Sequence, residues 1–335
     1  MASNRPIASE TIPEMYRYFE QVRGIFSKAV AKQLHAEAKQ RESVPPGGFF
    51  SFTTTALKAA RELSMTTVVS QIDPARIEEA LVAQVAERWS EWETRPGAVP
   101  QSYRNSLEQE WSCADAILVN AKCSKAALVE QGIASEKLLT VPPAFEPQVF
   151  CEPSLGRAPS PPRLLFLGQV DLRKRSPYLV EAARLLESTA IIIDVVGPTS
   201  IGSPILRRLP DNIRFHGMID RRAASEWYRQ ADVFVLPTIS DGLALTQLEA
   251  MAHGVAVIST ERCGDLVDHG VDGWRLAAAD ARAIAGLLNS LATHPETLTD
   301  MSHGAQLKCQ QLTLDRYLRG LDMIWGRIMV RAAQL

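Results

Sequence analysis

At 335 residues the chain has room for two domains of about 150 residues each. A hydrophobic fraction of 46% with 22% charged residues excludes a disordered chain, and a formal net charge of −2 excludes a generally basic, nucleic-acid-coating protein. There is no bilayer-length apolar run and no signal-peptide core between Met1 and Glu14. The five scattered cysteines lack C-x-x-C spacing, so a reduced, cytoplasmic chain without a structural zinc is expected.

Thr11-Ile12-Pro13-Glu14 has the form of a capping box with proline in the first turn. It opens a predicted helix with Ile12, Met15, Phe19, Val22, Phe26, Ala29 and Val30 on one stripe. Lys28, Lys32, His35 and Lys39 also recur at helical spacing; the readings open there are a solvated face or peripheral contact with an anionic inner-membrane surface. Gly47-Gly48 and a short apolar run follow, then a helix from about Thr55 to Ser64 and the strand Thr66–Val69. Farther on, Ala116–Val119 is a predicted strand, Ser124 caps a helix ending at Gly132, and Leu138–Val141 is the next strand. This order predicts a Rossmann-like domain over 1–150, and the six prolines between Pro143 and Pro162 mark a linker.

The second half, 151–312, alternates strand-length apolar runs (164–167, 190–196, 233–236, 255–258) with helical patterns at Tyr178–Leu186, Ala223–Gln230 and Thr246–His253. Near-continuous apolar strands alternating with helices predict a doubly wound α/β domain with a parallel sheet covered on both faces. Residues 313–335 form a last helical segment. Two such domains leave a cleft, and each sheet presents its carboxyl edge to ligands.

The residues with chemical potential follow two of these strands. After Leu167 comes Gly168-Gln169-Val170-Asp171-Leu172-Arg173-Lys174-Arg175-Ser176-Pro177. A glycine at a strand end, three cations and a helix start together suit a diphosphate, because fixed N–H dipoles and side-chain charge add. A solvated charge run is the alternative. After Leu236, Asp241 and Glu249 lie eight positions apart across a loop-to-helix transition. Either carboxylate can accept two hydrogen bonds from a vicinal diol; an Asp-Gly turn and a capping box from Thr246 to Glu249 are the structural alternatives. The remaining histidines have no metal-ligand spacing, and Trp89 and Trp92 are read as packing residues with an acceptor cleft as the alternative.

The order and spacing of Gly168–Pro177, Asp241–Glu249, Gly254–Ile258 and Gly264–Gly273 resemble the donor site of the group-1 (family-four) retaining glycosyltransferases. Ala86–Glu93 and Ala116–Val141 look like that family's N-terminal domain. The resemblance implies a GT-B fold, in which two Rossmann-like domains face across a cleft. The final helix would return toward the first domain, and the opening strand–helix unit of the N-terminal domain would be missing. It implies transfer of a sugar, with retention and without a metal or other cofactor, from a nucleotide-diphosphate-sugar to a hydroxyl acceptor such as a glycan or lipid-linked glycan. In that reading Arg173 and Lys174 bind the diphosphate, Asp241 contacts the sugar, and Glu249 holds the ribose. Gly168, Gly242, Leu243 and Ala244 present backbone to the donor, and Gly197, Met218 and Ile219 border the base. Gln169 stands where the family usually has arginine, and Asp241 where it has glutamate. Asp73 lies where relatives carry a histidine, with a turn-capping aspartate before proline as the alternative. A nucleotide-sugar-binding subunit without transfer, or an epimerase on the same scaffold, are the rival readings.

Overall fold

The computed structural model describes residues 25, 27–36, 48–51, 54–92, 98–141, 144–145, 161–187, 191–199, 201, 203–276 and 280–332. The capping box at Thr11, the apolar stripe from Ile12 to Phe26, Lys39 and most of the proline-rich linker lie outside them. In the first part of the chain the elements are α1 (27–36), β1 (Gly48–Ser51), α2 (Thr54–Glu62), β2 (Thr66–Ser70), α3 (Arg76–Arg88), α4 (Gln101–Cys113), β3 (Ala116–Val119), α5 (Lys122–Glu130) and β4 (Leu138–Thr140). There follow β5 (Arg163–Leu167), α6 (Ser176–Leu185), β6 (Ile192–Val196), α7 (Ser203–Leu206), β7 (Ile213–Gly217), α8 (Ala224–Gln230), β8 (Val233–Leu236) and α9 (Leu245–Ala252). The chain ends with β9 (Ala256–Thr260), β10 (Gly273–Leu276), α10 (Ala281–Thr293), α11 (Glu296–Gln310) and α12 (Leu314–Ala332).

The chain divides into two compact units, Met1–Arg76 with Arg95–Pro142 and Leu318–Leu335, and Ile77–Thr94 with Pro143–Tyr317. The sequence boundaries at 150 and 312 thus move to Pro142 and Tyr317, and one segment changes sides. Residues 77–94, assigned above to the first domain, group with the second, because Val85 and Trp92 are buried in the second unit's core. Trp89 packs edge-on against Trp92 and Tyr178, with ring centroids 5.7 and 6.1 Å apart, which is the packing reading of these tryptophans.

The first unit is a parallel four-stranded sheet in the order β1-β2-β3-β4, with Leu57, Val69, Trp111, Ile117, Leu128 and Leu138 in its core. Ser27 on α1 is buried and its Oγ accepts from the Ala56 N–H at 2.9 Å, closing the first turn of α2. Ser124 is not a cap: α5 begins at Lys122 after Ala121, and the Ser124 hydroxyl donates to the Ile72 carbonyl at 3.2 Å, joining the helix to the loop after β2. On α1, Lys28 and Lys32 are exposed, whereas His35 bonds to Glu62 at 3.2 Å. Among the described residues no helix is long and apolar enough to cross a membrane.

The second unit is a parallel six-stranded sheet in the order β10-β9-β8-β5-β6-β7, so its first strand lies centrally and the winding reverses between β5 and β8. Every residue of β8 and β9 is buried, as expected for strands covered on both faces. A ladder of charge crosses three strands: buried Asp194 on β6 meets Arg163 of β5 at 2.9 Å and His216 of β7 at 2.7 Å. The pairing keeps a buried carboxylate from standing alone.

At the carboxyl edge Gly168 and Gly197 nearly touch. A Cβ built on Gly197 would lie 1.8 Å from the Gly168 carbonyl oxygen, and its φ of 143° is one that side chains resist. Gly197→Ala is therefore expected to cost about 3–5 kcal/mol, combining backbone strain with a clash that must displace β5 or β6. Urea denaturation monitored by circular dichroism reads this directly, and a loss below about 1 kcal/mol would refute the close approach.

Candidate functional site

The loops after β5, β6, β7, β8 and β9 all lie at the carboxyl edge of the second sheet, and they build two adjoining features. The first is ionic. The loop after β5 turns back on itself when the Asp171 carboxylate accepts the Lys174 N–H at 2.8 Å, and Ser176-Pro177 then starts α6. The Arg173 carbonyl accepts from the Ile239 N–H at 2.9 Å and the Thr238 hydroxyl at 3.2 Å, which fixes this loop to the one after β8. Asp241 is held in turn by its own N–H on the Arg262 carbonyl at 2.9 Å.

These anchors bring the Lys174 ammonium onto one Asp241 carboxylate oxygen, with Lys174 only 8% exposed, and Arg173 to 3.7 Å from the other. Arg173 also lies 3.9 Å from Glu78 on α3, a neighbour that sequence reading missed. Nothing in the spacing of residues 78 and 173 could have found it. Arg175 takes no part: its guanidinium stacks over Tyr178 at 5.3 Å, and burial holds it below the usual guanidinium range.

The second feature is a cavity of about 990 Å³. Gly168, Gly197, Met218, Ile219 and Glu249, all sequence-predicted, line it together with Gln169. The Gln169 amide nitrogen is buried without a partner among the described residues. Arg173, Lys174, Asp241, Gly242, Leu243 and Ala244 are not among the residues that line this cavity. What joins the two features is the loop 168–175, whose start walls the cavity and whose end supplies the cations.

Glu249 is not part of a capping box. Ala244 is the N-cap of α9 and makes no side-chain cap bond, so Glu249 falls one full turn in. Side chains tilt toward a helix's N-terminus, and this brings Glu249 to the sheet edge from there. Its Oε2 accepts from the Tyr228 hydroxyl at 2.9 Å. Burial and the neighbouring Glu249 charge push the Tyr228 phenol well up, so it remains a donor.

Asp73 lies in the first unit at the carboxyl end of β2. Its Oδ1 accepts from the Ala75 N–H at 2.9 Å and the Gln71 amide at 3.0 Å, a turn-capping geometry. The first unit has its own cavity of about 820 Å³ at the opposite, amino edge of its sheet. Two of its cations serve the C-terminus of α4: Arg61 donates to the Cys113 carbonyl at 3.0 Å and Lys137 to that of Trp111. Among the described residues no group of three or more His, Cys, Asp or Glu could hold a metal ion.

Comparison with known proteins bears on the second unit most. Residues 161–294 match the family described as "Glycosyl transferases group 1". The amylovoran biosynthesis glycosyltransferase AmsK of Erwinia amylovora is 24% identical over 180 residues, 49% of this chain and 44% of that protein. A D-inositol 3-phosphate glycosyltransferase of Arthrobacter is 31% identical over 202 residues, 54% of this chain and 47% of that protein. The chain thus spans about half the length of the curated relatives it matches. The solved structure of Anabaena HepE in complex with UDP superposes with a TM-score of 0.68 at 16% identity, covering 89% of this chain and 82% of that one. At that identity the likeness speaks to fold, and the fold is GT-B.

Proposed function

We propose, from the premise that residues 161–294 carry a group-1 glycosyltransferase domain, that the protein moves a sugar with retention from a nucleotide-diphosphate-sugar to a hydroxyl acceptor. The observation that carries this reading is the pairing of Lys174 and Arg173 with Asp241 beside a cavity walled by Glu249. In it the nucleoside occupies the cavity, with its base near Met218 and Ile219 and its ribose on Glu249. The diphosphate follows the loop from Gly168 to Lys174, and the sugar meets Asp241.

Charge builds on the diphosphate as its bond to the sugar breaks, and fixed cations at that position lower the barrier because they need no reorganisation. Two cationic side chains supply that charge in place of a metal. Asp241 faces the opposite charge, the positive character at the sugar's reacting carbon, and attack from the same face retains its configuration. The UDP bound by HepE supports a uridine donor, and the likeness to AmsK supports a glycan acceptor.

The test is a panel of nucleotide sugars incubated with the protein, with and without glycan acceptors, and product analysis by chromatography. A retained-configuration glycoside is the expected product; conversion of donor with no acceptor present indicates an epimerase instead. A second reading is favoured by Gln169 and by the Lys174–Asp241 pair, which engages the lysine before any donor arrives: a nucleotide-sugar-binding subunit without turnover. Calorimetry showing binding together with no product in any assay selects it.

The ribose role of Glu249 has its own readout. Glu249→Gln keeps the shape and removes the charge, and hydrogen bonds to charged acceptors are stronger than neutral ones by about 1 kcal/mol or more. Nucleoside diphosphate affinity is expected to fall about tenfold with little change in Tm, and unchanged affinity would remove Glu249 from the binding site.

A further inference from the structure

A glutamate can grip a diol only as well as its own carboxylate is held. Glutamate side chains have several rotatable bonds, and freezing them on binding weakens affinity unless the protein has already frozen them. At Glu249 the holding group is visible. Tyr228 on α8 is 1% exposed, and its ring packs against Phe234 and His253 with centroids 5.9 and 5.1 Å away. Its hydroxyl reaches Glu249 Oε2 at 2.9 Å, and among the described residues no other group bonds to that carboxylate.

The surrounding contacts fix the phenol as well. His253 Nδ1 donates to the Glu249 backbone carbonyl at 2.7 Å, and its Nε2 lies 2.8 Å from the Ser225 hydroxyl on the same helix as Tyr228. The histidine thus ties the end of α9 to the start of α8, with the tyrosine ring between them. Tyr228, Glu249, His253 and Ser225 all border the one cavity.

We propose that Tyr228 is the positioning residue for the nucleotide-binding carboxylate: it takes one face of Oε2 and leaves the rest of the carboxylate preset for the 2′- and 3′-hydroxyls of a nucleoside diphosphate. The inference rests on the ribose role of Glu249 proposed above. Tyr228→Phe removes the hydroxyl alone and keeps the ring packing, so it separates positioning from structure.

The experiment is calorimetric titration of the full chain with UDP, GDP, ADP and CDP, then of whichever binds most tightly against its 2′,3′-dideoxy analogue. Tyr228→Phe is expected to weaken the ribonucleotide about three- to tenfold, leave the dideoxy analogue unchanged, and have no further effect in a Glu249→Ala background. An equal loss for both nucleotides shows a structural role and overturns the inference, as does no loss for the ribonucleotide. If Glu249→Ala itself binds both nucleotides as the wild type does, or the wild type binds none of the four, the underlying reading fails as well.

Discussion

Lys174→Met is expected to reduce sugar transfer by about a thousandfold, the scale seen when one group aimed at developing transition-state charge is removed. The magnitude follows from where the ammonium sits. Lys174 is 8% exposed, its backbone is fixed by Asp171, and its loop is tied through Arg173 to the loop that presents Asp241. A charge held this firmly in a poorly solvated place acts on a substrate far more strongly than one in water. The same burial means the substitution also touches stability, since it takes from the Asp241 carboxylate its closest cation and leaves Arg173 at 3.7 Å. A double substitution separates the two effects. Lys174→Met with Asp241→Asn removes both charges, so Tm is expected to recover while transfer does not. Recovery of transfer in the double variant would mean that the lysine serves Asp241 and not the diphosphate.

The parts of the fold legible in the sequence are those where burial is uniform. Strands β5, β8 and β9 read as apolar runs because both faces are covered, and the loops that follow them were located correctly for that reason. The edge strands β7 and β10 were not read. β7 alternates Ile213, Phe215 and Gly217 with Arg214 and His216; Arg214 is exposed, and His216 meets a partner in Asp194 on the neighbouring strand. The membership of residues 77–94 was also hidden, because helical periodicity marks a buried face without saying which core buries it.

At the site the division is similar. Residue types and spacing pointed to Gly168, Arg173, Lys174, Asp241 and Glu249, and the family resemblance added Gly197, Met218 and Ile219; the glycines, Met218, Ile219 and Glu249 share a cavity, and Arg173, Lys174 and Asp241 share an ion cluster. The first set lines the cavity, and the loop 168–175 runs from it to the second. Spacing along the chain cannot reveal that Lys174 and Asp241 face each other across 67 positions. For the same reason Tyr228 and Glu78 escaped notice, since their chemistry lies in a partner far along the chain.

Asp241→Asn is expected to move binding and catalysis in opposite directions. In the structure Asp241 occupies the ammonium of Lys174, the group proposed to receive the diphosphate. A donor must therefore compete with a carboxylate for that cation, and on binding the carboxylate is released to turn toward the sugar. Asparagine removes the competitor without removing the side chain, so UDP affinity is expected to rise about two- to fivefold, part of what an ion pair this buried is worth. Transfer is expected to fall about a hundredfold or more, because a neutral amide does not stabilise positive charge at the reacting carbon. Calorimetry with UDP and a transfer assay on the same preparation supply both numbers. Weaker UDP binding in the variant would show that Asp241 organises the cations and does not compete with the phosphates, and unchanged transfer would remove it from the chemistry. Either outcome would break the exchange of partners on which the proposed mechanism depends, in which one ammonium passes from a carboxylate to a diphosphate as the donor arrives.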